Sequence, residues 1–257
     1  MNREEILKEC LKRFDSGYFK VKNCSLMSCD NNLEFTGKLL MAMTREEKKT
    51  HTYLIDRIKS GLNQNIISEY GEAFIPRTIW FGCEDPNSWE RKKNLWENIR
   101  TFFWCRTDVS YSQFSYLLQG CMDNINEITV KMLSYMLKNN FKVRRSDGKT
   151  ADNGSFNTPY PNVQLRKYFI KECSGQKHNL LEKFYYILMQ YIKPRGSNGL
   201  NTILIYYSIS KTKEMSKRMK KIIINYIDDY LDSFVVTEFQ DNITWLLLDK
   251  IKKEINF

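Results

Sequence analysis

Residues 123–139, DNINEITVKMLSYMLKN, carry the apolar pattern that decides the fold class. Five apolar side chains recur there at helical intervals: Ile128, Met132, Leu133, Met136 and Leu137. Side chains with this spacing share one face of an α-helix, because the helix completes a turn every 3.6 residues. Comparable patterns predict further helices over residues 2–14, 162–173, 178–192, 212–232 and 237–255. The sequence therefore predicts a mainly α protein.

Three capping-box motifs predict where additional helices begin. In this motif a first side chain accepts a hydrogen bond from the backbone three residues later, and a Glu or Gln there reaches back. The pairs are Thr44 with Glu47, Asn87 with Glu90, and Ser110 with Gln113. They predict a helix to about residue 61, a helix with apolar residues over 89–103, and a helix through residues 114–118.

The β content is expected to be small, with at most one or two short elements. Residues 74–82, FIPRTIWFG, have the β-branched and aromatic composition of an extended segment. Residues 33–36 are a candidate for a short strand. Residues 200–209 are apolar and β-branched, so a strand and a buried helix both remain open there.

One segment, residues 142–162, breaks the helical pattern. Its sequence, KVRRSDGKTADNGSFNTPYPN, is rich in residues that favour turns and shows no periodicity. It predicts a basic flexible loop or linker. The chain is thereby divided into a near-neutral N-terminal helical lobe, residues 1–141, and a basic C-terminal helical lobe, residues 163–257.

Charge gives the main indication of function. The chain has 257 residues, and its 40 basic and 30 acidic side chains leave a net charge of +10. Residues 138–221 alone hold 18 basic and 5 acidic side chains. Such a concentration of cations favours a polyanionic partner, whose binding gains free energy largely from released counterions.

The basic region contains the predicted nucleic-acid contacts. The predicted phosphate-binding residues are Lys142, Arg144, Arg145, Lys149, Arg166, Lys167, Lys171, Lys193, Arg195, Lys211, Lys213, Lys217, Arg218, Lys220 and Lys221. The predicted base-stacking residues are Phe156, Tyr160 and Tyr168. We expect the loop at 142–162 to close over a bound strand.

In size, charge and helicity the chain is similar to the nucleoproteins of segmented negative-strand RNA viruses. This similarity is one of type and involves no aligned motif. It implies a non-enzymatic protein that coats or packages single-stranded RNA through a basic groove, and that forms homo-oligomers. The leading hypothesis is therefore an RNA-binding or single-strand-binding protein, in the cytoplasm or in a virion.

Two alternative functions remain open. Residues 45–51, REEKKTH, resemble the short R-x(4–6)-H motif of HEPN-type ribonucleases, which are all-α. That resemblance implies metal-independent RNA cleavage, in which His51 moves a proton and Arg45 stabilises phosphate charge. The other alternative is an interaction module whose basic surface binds an acidic protein.

The remaining composition gives no sign of a metal, cofactor or membrane. The seven cysteines form no C-x-x-C pair, and the chain has only two histidines, so no zinc-ligand spacing is present. Reduced cysteines fit an intracellular location. No apolar run approaches the roughly 18 residues that a membrane span needs.

Overall fold

The computed structural model describes residues 2–12, 14–15, 18–19, 32–62, 78–81, 96–100, 103–106, 109–145, 148–192, 196–232 and 239–255. Over these residues the protein is mainly α, as the helical periodicity predicts. Contacts between residues divide the chain into two compact units, Met1–Ser155 and Phe156–Phe257. The boundary between the units falls within the segment 142–162.

The first unit contains six helices and seven short strands among its described residues. The helices are α1 (Arg3–Leu11), α2 (Asn32–Ala42), α3 (Arg45–Thr50), α4 (Thr52–Leu62), α5 (Tyr111–Met122) and α6 (Asn126–Lys138). The strands are β1 (Phe14–Asp15), β2 (Tyr18–Phe19), β3 (Thr78–Phe81), β4 (Trp96–Arg100), β5 (Phe103–Arg106), β6 (Lys142–Arg144) and β7 (Thr150–Ser155). They form three small antiparallel sheets, in the orders β1-β2, β3-β5-β4 and β6-β7.

Helices α2 and α5 form the central contact of the first unit, and two glycines permit their close approach. A Cβ atom added to Gly120 would lie 2.3 Å from the backbone oxygen of Gly37, and one added to Gly37 would lie 2.3 Å from the oxygen of Tyr116. No side chain fits at such distances. The helices therefore meet backbone to backbone, with Leu40 and Leu118 among the buried residues nearby in sequence.

The second unit is helical in its described residues. Its elements are α7 (Pro161–Cys173), α8 (Leu180–Leu188), a 3₁₀ turn (Met189–Tyr191), α9 (Gly196–Ser210), α10 (Lys217–Asp232) and α11 (Phe239–Ile255). Residues 202–209 of α9 are buried on every side. A helix with this environment needs apolar residues all round, which explains why its sequence shows no amphipathic period. Helix α9 packs against α7 and α10, and α7 also packs against α8.

Most helices predicted from the sequence are confirmed. The patterns at 2–14, 123–139, 162–173, 178–192, 212–232 and 237–255 correspond to α1, α6, α7, α8 with the 3₁₀ turn, α10 and α11. Both described capping boxes form, at Thr44 before α3 and at Ser110 before α5. The box at Asn87 lies outside the described residues.

Three predictions about regular structure are wrong. Residues 33–36 belong to helix α2, and the described part of the predicted helix over 89–103 forms β4 and the start of β5, which pair as antiparallel strands. The segment 142–162 contains a β-hairpin instead of an irregular loop. Its strands are joined at Lys142–Ser155 and Arg144–Thr150, and Pro161 already starts α7.

The structure also decides the two expectations for residues 74–82 and 200–209. The extended segment at 74–82 is confirmed in its described part as β3, and the open choice at 200–209 is decided in favour of a buried helix. Three small sheets are more than the one or two β elements expected. Among the described helices, none combines the length and the apolar character that crossing a bilayer requires.

Candidate nucleic-acid interface

A cleft of about 630 Å³ lies in the second unit, between the end of the α8 segment and α10. One wall is formed by Gln190, Tyr191 and Ile192, at the end of the 3₁₀ turn. The other wall is one face of α10. It consists of Lys217, Arg218, Lys221, Ile222, Asn225 and Tyr226. We call this site the basic cleft.

The period of α10 determines which side chains line the basic cleft. The lining residues recur at positions i, i+1, i+4, i+5, i+8 and i+9 from Lys217, so they share one face. Met219, Ile223 and Ile227 occupy another face and are buried in the unit. Ser216 caps the helix, because its hydroxyl accepts a hydrogen bond of 3.2 Å from the backbone N–H of Met219. The cations of α10 thus project from a helix whose opposite side is anchored.

Arg218 connects the two walls of the cleft. Its Nε donates a hydrogen bond of 3.1 Å to the backbone oxygen of Gln190, and its guanidinium carbon lies 3.7 Å from the ring centroid of Tyr191. A guanidinium over an aromatic ring is attracted by the electrons of the ring. Tyr191 nevertheless remains 63% exposed. The ring is therefore held in place while most of its surface is open to a ligand.

The cations around the cleft form no ion pair with a carboxylate among the residues that the structure describes. Lys217, Lys220 and Lys221 are exposed, and none of them forms an ion pair with a residue that the structure describes. The acidic residues of α10 lie in its C-terminal half, where Asp228 is 2.6 Å from Lys252. Cations in the first turn of a helix oppose the helix dipole. A bound anion would offset this unfavourable interaction between the cations and the helix dipole.

A buried carboxylate fixes α8, which leads into the cleft. Glu182 has no exposed side-chain surface; it accepts hydrogen bonds of 2.9 Å from Lys171 Nζ and 2.9 Å from the backbone N–H of Asn179. Lys167 Nζ lies 3.6 Å away. Burial alone would raise the pKa of Glu182, but the hydrogen bonds and the two lysines outweigh it and lower that pKa. The carboxylate is therefore charged, and it joins α8 to α7.

A stack of aromatic rings lies beside this ion cluster. The ring of Tyr168 is parallel to His178 at 3.8 Å and to Tyr186 at 4.4 Å. Lys213 donates a hydrogen bond of 2.9 Å to the hydroxyl of Tyr168, and this bond is the main cause that raises the pKa of Lys213. The Nε2 of His178 lies 2.8 Å from Glu172 Oε2. These contacts leave Tyr168 buried with both ring faces covered.

Two of the three predicted stacking residues are therefore misplaced. Tyr168 is covered by its neighbours, and Phe156 is buried in the core of the unit. An aromatic ring without exposed surface offers no face to a nucleic-acid base. Tyr160, at the start of α7, is 65% exposed, and its stacking role stays a prediction.

The predicted cations of α7 also point inward. Arg166 is buried, and Lys167 and Lys171 are mostly buried beside Glu182. Burial lowers the pKa of Lys167, because it penalises the charged ammonium. Arg166, Lys167 and Lys171 therefore offer little surface to a phosphate, which argues against their assignment as phosphate-binding residues.

The remaining predicted cations are distributed over both units. Lys142, Arg144, Arg145 and Lys149 belong to the β6–β7 hairpin of the first unit. Arg144 there donates hydrogen bonds of 3.3 Å to the backbone oxygen of Gly148 and to the hydroxyl of Thr150.

In the second unit the cations are brought together mainly in α10. Lys211 is exposed beside the ring of Tyr207, Lys213 bonds Tyr168, and four cations cluster at the start of α10. These four are Lys217, Arg218, Lys220 and Lys221. Lys193 and Arg195 lie outside the described residues.

The residues of the alternative ribonuclease do not share one helix. Helix α3 ends at Thr50, and His51 is its C-cap residue, with backbone angles outside the helical region. Arg45 is in the first turn, and α4 starts separately at Thr52. The ring of His51 lies 6.1 Å from that of Tyr53. Arg45 and His51 are therefore not held on one continuous helix.

Sequence reasoning missed Tyr191, Gln190 and Asn225, which line the cleft, and Glu182, which positions α8. The exposed tyrosine leaves no distinct sequence signal, because its spacing from Phe184 and Ile187 resembles that of a core face. Asn179 and Glu182 do form a capping-box pattern that marks the start of α8. Comparison of the chain with protein-family models, with curated proteins and with solved structures found no match.

Proposed function

We propose that this protein binds single-stranded nucleic acid, above all RNA, in the basic cleft. The observation that carries the proposal is the arrangement at the cleft, where an exposed tyrosine ring lies among cations that form no ion pair with any described carboxylate. Proteins that bind single strands combine a positive groove for the phosphates with aromatic rings for the bases. Tyr191 supplies the ring and α10 supplies the cations.

Each group has a defined role in this proposal. Lys217 and Lys221 are four residues apart on one helix face and contact successive phosphates. Arg218 holds Tyr191 and adds a third positive charge. Asn225, one turn further along the same face of α10, offers both a donor and an acceptor to a base edge.

Single strands fit the cleft better than duplexes do. An unpaired base can leave its neighbours and place its face on Tyr191, whereas bases in a duplex are stacked on one another. The binding free energy is expected to come from charge and stacking together, with little sequence preference. Coating of a long strand, as in a nucleoprotein, is compatible with such recognition.

The test is binding of a fluorescent oligouridine, followed by anisotropy over a range of salt concentrations. We expect replacement of Lys217, Arg218, Lys220 and Lys221 by Gln to flatten the salt dependence by about 3 units, at about 0.7 per phosphate contact. The matched control removes four exposed lysines of the first unit. These are Lys8, Lys12, Lys49 and Lys59.

The control has the same net charge as the cleft variant, so it separates a local site from general attraction. Equal slopes for the two variants would contradict the proposal. Polyglutamate as competitor distinguishes the acidic-protein alternative. It should displace the RNA poorly, because it offers no flat base to Tyr191; displacement as strong as that by unlabelled oligouridine would instead favour an acidic protein partner.

A further inference from the structure

Helix α8 exposes an apolar stripe. Four residues of α8 and two residues at the end of the turn that follows it are large, apolar and solvent-exposed. They are Leu180, Leu181, Phe184, Ile187, Tyr191 and Ile192. Leu180 is 87% exposed, and Phe184 and Ile187 are each 55% exposed. We call this surface the α8 stripe.

The area of the α8 stripe is large enough for a stable contact. The six side chains together expose roughly 600 Å² of surface, when each full side chain is taken as about 150–200 Å². This area matches that of the largest apolar patches on typical monomers, and such patches often mark interaction sites. Two such stripes facing each other would bury roughly 1,200 Å², the lower end of the range for specific protein interfaces.

The geometry favours another helix as the occupant. Leu180, Phe184 and Ile187 lie at i, i+4 and i+7, the spacing that forms a ridge for helix-to-helix packing. A membrane surface is less suitable, because helices that lie on membranes carry several cations beside their apolar face. Within α8, Lys183 is the one basic residue.

We propose that the α8 stripe is a self-association surface, on which a second copy of this chain docks with α8 against α8. A two-fold pairing of this kind places the same patch on both copies and closes the assembly as a dimer. Tyr191 and Ile192 belong both to the α8 stripe and to the basic cleft, so the dimer and a bound nucleic acid share these two residues. At the lower limit of interface area, the dissociation constant of the dimer is expected in the micromolar range.

Salt distinguishes this association from nucleic-acid binding. Each copy has a net charge of +10, and Lys183 stands at the edge of the stripe. Salt screens repulsion between the copies, so self-association strengthens as the salt concentration rises. Binding of RNA weakens under the same change.

The experiment measures the mass of the full chain, freed of nucleic acid, by light scattering and sedimentation from about 1 to about 100 μM. We expect the mass to rise with concentration from that of a monomer to twice that value. The double variant Leu180→Glu/Phe184→Glu should raise the dissociation constant at least a hundredfold. Ile187→Lys provides a second variant, and all three positions lie outside the basic cleft.

Val130→Glu is the matched control, because Val130 is 57% exposed on α6 of the first unit. It should leave the dimer unchanged. A wild-type chain that stays monomeric over the whole range would overturn the proposal, as would a dimer that survives both stripe variants. A monomer that sediments with lipid vesicles, and loses this property in the stripe variants, would assign the stripe to a membrane and refute self-association.

Discussion

Replacement of Tyr191 by Ala separates stacking from charge in the proposed nucleic-acid site. Stacking of a base on an aromatic ring contributes about 1–3 kcal/mol. Loss of the ring should therefore weaken oligouridine binding by about 5- to 150-fold. The slope of the logarithm of affinity against the logarithm of salt concentration should stay unchanged, because no charge is removed.

The structure limits the damage that this change does to the protein. Tyr191 is 63% exposed, so its removal leaves no buried cavity. Arg218 loses the ring but keeps its hydrogen bond to the oxygen of Gln190. The lost cation–π contact is worth about 0.5–1 kcal/mol at an exposed site. The melting temperature should therefore fall by a few degrees at most.

Two further variants make this test decisive. Tyr191→Phe keeps the ring and should bind almost as well as the wild type. Tyr53→Ala removes a tyrosine of similar exposure, 60%, from helix α4 of the first unit. It should have no effect on affinity. Equal losses for Tyr191→Ala and Tyr53→Ala would refute the stacking role, and so would full affinity of Tyr191→Ala.

The remaining predictions concern stability and the alternative enzyme. Glu182→Gln should destabilise the protein by about 3 kcal/mol near neutral pH, because it leaves Lys171 buried without its counter-charge. The pKa of Glu182 is lowered in the folded state from the ordinary value of about 4.5. The difference in free energy of unfolding between the wild type and Glu182→Gln should therefore shrink as the pH falls below 4.5, and it should vanish below the lowered pKa. Gly120→Ala should destabilise the protein by about 1–3 kcal/mol, because its methyl group would overlap the backbone of Gly37. Urea denaturation measures the loss of stability in the Glu182 and Gly120 variants. His51→Ala should leave RNA binding intact, whereas loss of an RNA-cleaving activity in this variant would favour the HEPN-type alternative.

The sequence predicts helices well wherever one face is apolar and the other polar. Helices α6 and α10 are examples, because each buries one face and exposes the other. The predicted helix over 89–103 fails for a related reason: its Trp and Phe residues suit a strand as well as a helix, and Phe103 pairs with Phe81 of β3, which is distant in sequence. Local patterns do not contain that information.

The sequence predicts the positive charge of the candidate site, but it does not predict which of the charged and aromatic side chains are exposed there. The cluster of cations at the start of α10 is visible in the sequence, and it stays exposed with no ion pair to any residue that the structure describes. Burial of Lys167 and Tyr168 was not visible, since it depends on Glu182 and Tyr186, which meet them only after α8 has packed on α7. A basic run in the sequence therefore indicates where the cations are, while the fold decides which of them remain exposed to a ligand.

Helix α8 shows how the buried carboxylate and the apolar stripe are related. The face of α8 that meets α7 carries Glu182 and Tyr186, which bind Lys171 and stack on Tyr168. Because polar and aromatic contacts hold this face, Leu180, Phe184 and Ile187 are directed to solvent, the reverse of the usual arrangement. Apolar periodicity would assign these residues to the core. Places where this rule fails in a folded protein are often functional. Helix α8 ends at Leu188 and the 3₁₀ turn that follows ends at Tyr191, so one continuous segment presents both the α8 stripe and one wall of the basic cleft.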